Sequence, residues 1–222
     1  LAAALVSIMP LPEIADEIAS GIDVLATTMG DIPDRHRSLR VVFDSSWERL
    51  RSQEKLVMAR LSIFRGGFDW SAAQAIAQST RHDLAGLIGK SMLSLNPSGR
   101  YAIHELLRQY AEARLENSSA VAHDHARYFA EFVYARQEGL MGGAQKETLN
   151  ALNGEIENLR VAWRWAVENA DTVLLQRFCR GMAIYFEIQG LYEEAAGSFE
   201  AAIAALQREK ADASLLCAQL LI

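Results

Sequence analysis

Cysteine and proline are scarce: the 222 residues hold two Cys and four Pro. Cys179 and Cys217 are too few for a disulfide framework or a thiolate metal site, so the chain reads as cytoplasmic and reduced. With only four Pro and 14 Gly, a collagen-like or Pro-rich linker protein is excluded. No uninterrupted apolar run approaches the ~18 residues of a membrane span, and no membrane partner is expected. Leu1–Met9 is apolar but has neither the basic leader nor the cleavage site of a signal peptide. Basic residues are missing altogether from residues 1–32, where five acids give −5. Residues 33–117 carry 13 basic and 9 acidic side chains, +4, and residues 118–222 carry 9 and 14, −5. A surplus of four charges is a weak basis for a nucleic-acid face, and the acidic flanks would repel phosphate.

Half of the residues are hydrophobic and 23% are charged, enough apolar surface for a packed core. A composition rich in Ala, Leu and Glu leans towards helix. Leu1 stands inside an apolar helical pattern without an initiating Met, so the chain reads as a fragment that begins in a cut helix. Leu11-Pro12-Glu13-Ile14 opens a helix with an apolar face of Ile14, Ile18, Ile22 and Leu25. Residues 30–34 read as a connector. The steps between Leu39, Val42, Phe43, Trp47 and Leu50 predict a helix over 37–50. Ser52 is the expected cap of the next helix, which Gly66-Gly67 would end. Short helices are expected at 70–77 and around Leu84–Ile88. Then Met92–Leu95, the turn Asn96-Pro97-Ser98-Gly99 and Tyr101–Ile103 predict a small β-hairpin, with helix returning at Glu105 and burying Leu106, Leu107, Tyr110 and Leu115. Helices followed by a two-stranded wing suggest a winged-helix module.

Beyond the polar break 116–119 the pattern is all helical. Leu149, Leu152, Ile156, Leu159, Trp163 and Ala166 mark a helix buried against neighbours, too short for a coiled coil. Phe186, Gly190, Ala195, Phe199 and Ala202 match the tetratricopeptide spacing, in which aromatic and small residues let two helices pack closely. Such repeats stack in threes or more, so the array is expected to continue past Ile222. The fold class is thus mostly α: the end of a helical subdomain (1–32), a winged-helix domain with a small β-hairpin (33–117), and a tetratricopeptide-like α-α solenoid (118–222).

Few residues suggest chemistry. Gly86-Leu87-Ile88-Gly89-Lys90-Ser91 has two residues between its glycines where a P-loop needs four, and reads as a helix end. His123 and His125 are two apart and point to different helix faces, which argues against a shared metal and for a solvated helix start. Glu155 and Glu157, equally spaced, give no paired-carboxylate site. Asn117-Ser118-Ser119 has the form of a glycosylation acceptor and reads as a polar linker. No catalytic residue and no metal ligand is assigned. His104 differs by position: it stands where the wing strand hands over to the Glu105 helix, beside backbone N–H groups placed to meet a phosphate. A local helix cap or core-edge histidine fits the same position.

Four segments in order carry a family resemblance: Asp34-Arg35-His36-Arg37-Ser38-Leu39-Arg40, Phe43-Asp44-Ser45-Ser46-Trp47, Leu61–Phe68 and Gly99–Ala111. Together the chain resembles the region after the ATPase core in bacterial signal-transduction ATPases with numerous domains, the STAND class with an NB-ARC-type core, many of them large transcriptional regulators. The resemblance covers nearly the whole chain. It implies that Ile103-His104-Glu105-Leu106 stands in the place of the family's Met-His-Asp-Leu motif, whose His contacts the ADP β-phosphate in the closed state. Ile replaces Met and Glu replaces Asp. The family's P-loop and Mg-binding acids would lie before Leu1, so this chain needs no cofactor of its own, while the whole protein would use ADP or ATP with Mg.

The resemblance implies a non-catalytic switch. The winged helix would close on ADP bound by an upstream ATPase core in the same chain, and the repeats would sense an unknown protein or small molecule. One alternative is direct DNA binding by the winged helix, with Arg81, Lys90 and Arg100 on phosphates. That is disfavoured because the stretch from Leu84 to Ser91 offers only Lys90 and no Asn, Gln or Arg for base edges. The other alternative is a plain protein-binding scaffold.

Overall fold

The structure, a computed structural model, describes residues 42–208. The helix expected at residues 11–25, the 30–34 connector, the 1–32 subdomain end, the segment 34–40 and Cys217 lie outside the described residues. The described chain is mostly helical, with one two-stranded antiparallel sheet. It divides into two units. One holds the described residues up to Ile63 together with Gly67–Asn117; the other holds Phe64–Gly66 and the chain from Ser118.

In the first unit, α1 (42–48) buries Phe43 and Trp47 on one face, and Leu50 lies at the next turn. Helix α2 (Ser52–Leu61) is capped by Arg51 rather than by Ser52, because the Glu54 carboxylate accepts the Arg51 backbone N–H at 2.7 Å. It stops at Leu61, short of the glycine pair. The Ser62 hydroxyl donates back to the Ala59 carbonyl at 2.6 Å, and the Ile63 N–H bonds Arg60 one residue closer than an α-helix requires. Gly66 and Gly67 instead form the turn that leads to α3. Helix α3 (Trp70–Ala77) starts where the Asp69 carboxylate accepts from the Ala72 N–H, and α4 (Arg81–Gly89) starts with a Thr80–Asp83 capping box. Strands β1 (Ser94–Leu95) and β2 (Tyr101–Ala102) pair Ser94 with Ala102 and Leu95 with Tyr101. Helix α5 (Glu105–Glu112) ends before the half-buried Leu115, so that residue is not part of its apolar face. Val57, Met58, Leu61, Ile76, Leu84, Leu87, Met92 and Leu107 form the core beneath these elements.

In the second unit, α6 (Ser118–Tyr134) begins inside the stretch expected to be a linker; the break is the non-helical run 113–117, which ends on Asn117 in the left-handed region at φ +52°. A 3₁₀ turn (Gln137–Met141) leads to α7 (Gln145–Glu168), α8 (Thr172–Gln189) and α9 (Tyr192–Arg208). The α7 stripe buries Leu152, Leu159, Trp163 and Ala166, but polar Thr148, Glu155 and Asn158 share its buried side. Trp163 meets Phe178 and Phe199 edge-on at 5.8 and 5.6 Å, and Phe199 meets Phe186 at 6.1 Å. Gly190 turns α8 into α9: at φ +68° it caps α8 while the Leu191 N–H reaches the Phe186 carbonyl at 2.9 Å.

His125 is buried, not solvated as its helix-start position suggested. Its ring lies between Phe64 at 5.5 Å and Phe129 at 4.7 Å, hydrogen-bonded to the Asn158 side chain. Asn158 is fully used: its Oδ1 accepts the Arg65 N–H and its amide donates to Glu155, both at 2.7 Å. Desolvation pushes the His125 pKa down to about 3. The imidazole is therefore neutral when folded and takes a proton near pH 6.5 when unfolded. Its contribution to stability is whole above that value and drains away as pH falls towards 3, at up to about 1.4 kcal/mol per pH unit. His125→Phe is expected to flatten the fall in melting temperature between pH 6.5 and 4. An unchanged pH slope would show that acid acts elsewhere.

Candidate functional site

His104 sits at the junction of β2 and α5, and three contacts fix that junction. Strand β2 is tied to the turn before α3: the Phe68 N–H donates to the Tyr101 carbonyl at 3.0 Å and the Tyr101 N–H donates back at 2.8 Å, with the two rings stacked 5.7 Å apart. The His104 carbonyl accepts the Arg108 N–H at 2.9 Å, the first bond of α5. Arg108 itself is buried, gripping Glu105 with two bonds of 2.7 and 2.8 Å, Glu112 at 2.7 Å and the Ser62 carbonyl at 3.0 Å. Desolvation opposes its charge, but Glu105 and Glu112 prevail and its pKa is raised.

His104 is thus an N-cap residue with extended backbone, φ −63° and ψ 136°, whose side chain makes no capping bond and is exposed. The imidazole is turned away from the apolar interior, at the head of an eight-residue helix. Glu105 would be a poor neighbour for an anion, yet its carboxylate is already occupied by Arg108 and by Gln109 at 2.9 Å.

The three alternative phosphate contacts each have their own surroundings in the fold. The Arg81 guanidinium lies over the Trp70 ring, 4.6 Å from its centre. Arg100 is half-buried, with its Nη2 out of solvent. Lys90 reaches the fully buried Glu54 at 2.6 Å. Burial alone would raise the Glu54 pKa, but the hydrogen bonds from Lys90 and from the Arg51 backbone and side chain bring it to about 2. Lys90→Met strips the main counter-charge from a buried carboxylate. With Lys90 about a third exposed and its charge partly screened, the expected loss is about 1–2 kcal/mol at pH 7. That contribution exists above the ordinary Glu value of 4.5 and is lost as pH falls towards 2. Wild type and variant should therefore converge in stability on acidification; a gap that persists at about pH 2–3 would overturn the assignment.

Glu54 and Lys90 stand 36 positions apart, and no sequence spacing announces that pair. Arg108 was findable, since acids three residues before and four after it are helix neighbours. Among the described residues no group of three or more His, Cys, Asp or Glu is arranged to hold a metal ion, and no helix is long and apolar enough to cross a membrane. The Cys179 thiol is buried, and desolvation pushes its pKa up to about 11.

Comparison with known proteins adds one finding. Over 181 residues the chain is 32% identical to proteins of Mycobacterium tuberculosis and Mycobacterium bovis that are named, provisionally, as HTH-type transcriptional regulators. The alignment takes in 76% of this chain and 20% of each relative. This chain is similar to a segment of a transcriptional regulator. It spans about a fifth of the length of those relatives. No protein-family profile and no solved structure matches it.

Proposed function

We propose that this chain is the regulatory, non-catalytic part of a STAND-type nucleotide switch that controls transcription. In this reading the helices and hairpin of the first unit act as a winged helix that closes on ADP held by an ATPase core in the same protein. The second unit acts as the tetratricopeptide-like sensor. The reading is carried by one observation: the His104 imidazole is exposed at a rigidly held strand–helix junction and is not spent on capping its own helix. An imidazole so placed can give an N–H to a diphosphate oxygen, and the nearest acid is neutralised by Arg108. The residues present fit that single phosphate contact. ADP would supply the charge that the latch reads, and its remaining contacts belong to the core.

The similarity to transcriptional regulators supports a regulatory role. A signal bound by the helical sensor would release the latch, since a contact made only in the closed state biases the closed–open equilibrium by its own free energy. The test is ADP dissociation from the full-length protein, wild type against His104→Ala. An unchanged dissociation rate overturns the reading.

A further inference from the structure

The second unit contains an open cavity of ≈ 390 Å³ between α7, α8 and α9, within the size range of small-molecule sites. Its floor is apolar: Trp163, Met182 and Phe186 are all buried side chains that line it. Its rim carries four charges, two of which are already spent. Arg160 from α7 holds Glu194 from α9 through two bonds, 2.7 and 2.8 Å, and that pairing lowers the Glu194 pKa. The other two, Arg164 and Glu193, are exposed, and each lines the same cavity without an ion-pair or hydrogen-bond partner among the described residues. One unspent cation, one unspent anion and an aromatic floor make a charge-balanced, amphipathic recess.

We infer that this cavity binds a small apolar zwitterion of the α-amino-acid class, its carboxylate on Arg164, its ammonium on Glu193 and its side chain on the Trp163–Phe186 floor. A plain anion would gain Arg164 but face Glu193, and a plain cation would meet the reverse; only a ligand with both charges satisfies both groups. The Arg160–Glu194 clamp bridges α7 and α9 and keeps the two walls in register, so neither spent charge is needed for the ligand. The inference rests on reading the second unit as the sensor, and it names the chemistry that sensor takes.

The experiment uses the 222-residue chain, with no nucleotide present, and three probes sharing one ring: L-phenylalanine, 3-phenylpropionate without the ammonium, and phenethylamine without the carboxylate. L-Phenylalanine is expected to bind saturably, with Kd about 1 mM or tighter, and at least about tenfold more tightly than either analogue. Arg164→Gln should weaken L-phenylalanine and 3-phenylpropionate while tightening phenethylamine, which loses a like charge; Glu193→Gln should weaken L-phenylalanine and phenethylamine while tightening 3-phenylpropionate for the same reason. Both side chains are exposed, so the helical melting curve should not move, and it serves as the folding control. Equal binding of the three probes, indifference to both substitutions, or no saturable binding of any probe overturns the site. Because binding is read without ADP, such a failure leaves the latch standing, and failure of the latch leaves this measurement unaffected.

Discussion

Replacing His104 with Ala in the full-length protein is expected to speed ADP release about ten- to hundredfold, the worth of one charge-assisted hydrogen bond of ~1.5–3 kcal/mol. Basal signalling should rise with it, because the same free energy holds the closed state. The geometry makes this substitution unusually clean. The ring is exposed and makes no capping bond, so removing it costs the fold little, and the melting temperature should stay within about 2 °C of wild type. The junction stays in place through the backbone bond from Arg108 and the Glu105–Arg108 pair, neither of which involves the imidazole. His104→Gln, which keeps a neutral N–H donor of similar reach, should recover part of the lost retention. If release quickens only in proportion to lost thermal stability, His104 props the fold and does not touch the nucleotide.

How much of this was legible depends on whether the signal was local. Asp69 before an apolar run, and Thr80 with Asp83 three residues on, are capping signals written in adjacent residues, and α3 and α4 start directly after them. The hairpin turn at Asn96–Gly99 is equally local: the Gly99 N–H closes it on the Asn96 carbonyl at 3.0 Å. Ser52 misled because a hydroxyl beside a helix looks like a cap, whereas the Glu54 carboxylate reached the Arg51 N–H first. Gly66-Gly67 misled in a similar way. A glycine pair announces a turn but not that Ser62 has already closed the helix. The buried polar groups were out of reach altogether. Glu54, His125, Glu155 and Asn158 occupy interior positions that hydrophobic periodicity assigns to apolar side chains, and the partners that tie them across the fold are far away in sequence: Lys90 is 36 residues from Glu54 and Arg65 is 93 from Asn158. At the site, the position of His104 was readable from the strand-to-helix handover. That its ring would be free of capping, with Glu105 turned onto Arg108, required coordinates.

Gly67→Ala is expected to cost about 2–4 kcal/mol, and its control is Gly99→Ala. Both glycines lie in the left-handed region, at φ +90° and +81°, where a Cβ is strained by about 1–2 kcal/mol whatever surrounds it. Their surroundings differ. At Gly99 a Cβ would meet nothing within 4 Å; at Gly67 it would stand 2.7 Å from the Tyr101 carbonyl oxygen. That oxygen is the acceptor for Phe68, one of the two bonds that tie β2 to the α3 turn, so it has no flexible end that can swing aside. Gly99→Ala should therefore show the backbone strain alone, and the excess at Gly67 should read the collision. For a unit of this size each kcal/mol moves the melting temperature by roughly 4–8 °C, which keeps the two variants well apart. Faster amide exchange at Phe68 and Tyr101 in the Gly67 variant, but not in the Gly99 variant, would place the damage at that bridge. Two residues separate Tyr101 from His104, so a loosened bridge should also quicken ADP release from the full-length protein. Equal stability of the two variants would show that β2 yields freely, and that the junction is held by Arg108 alone.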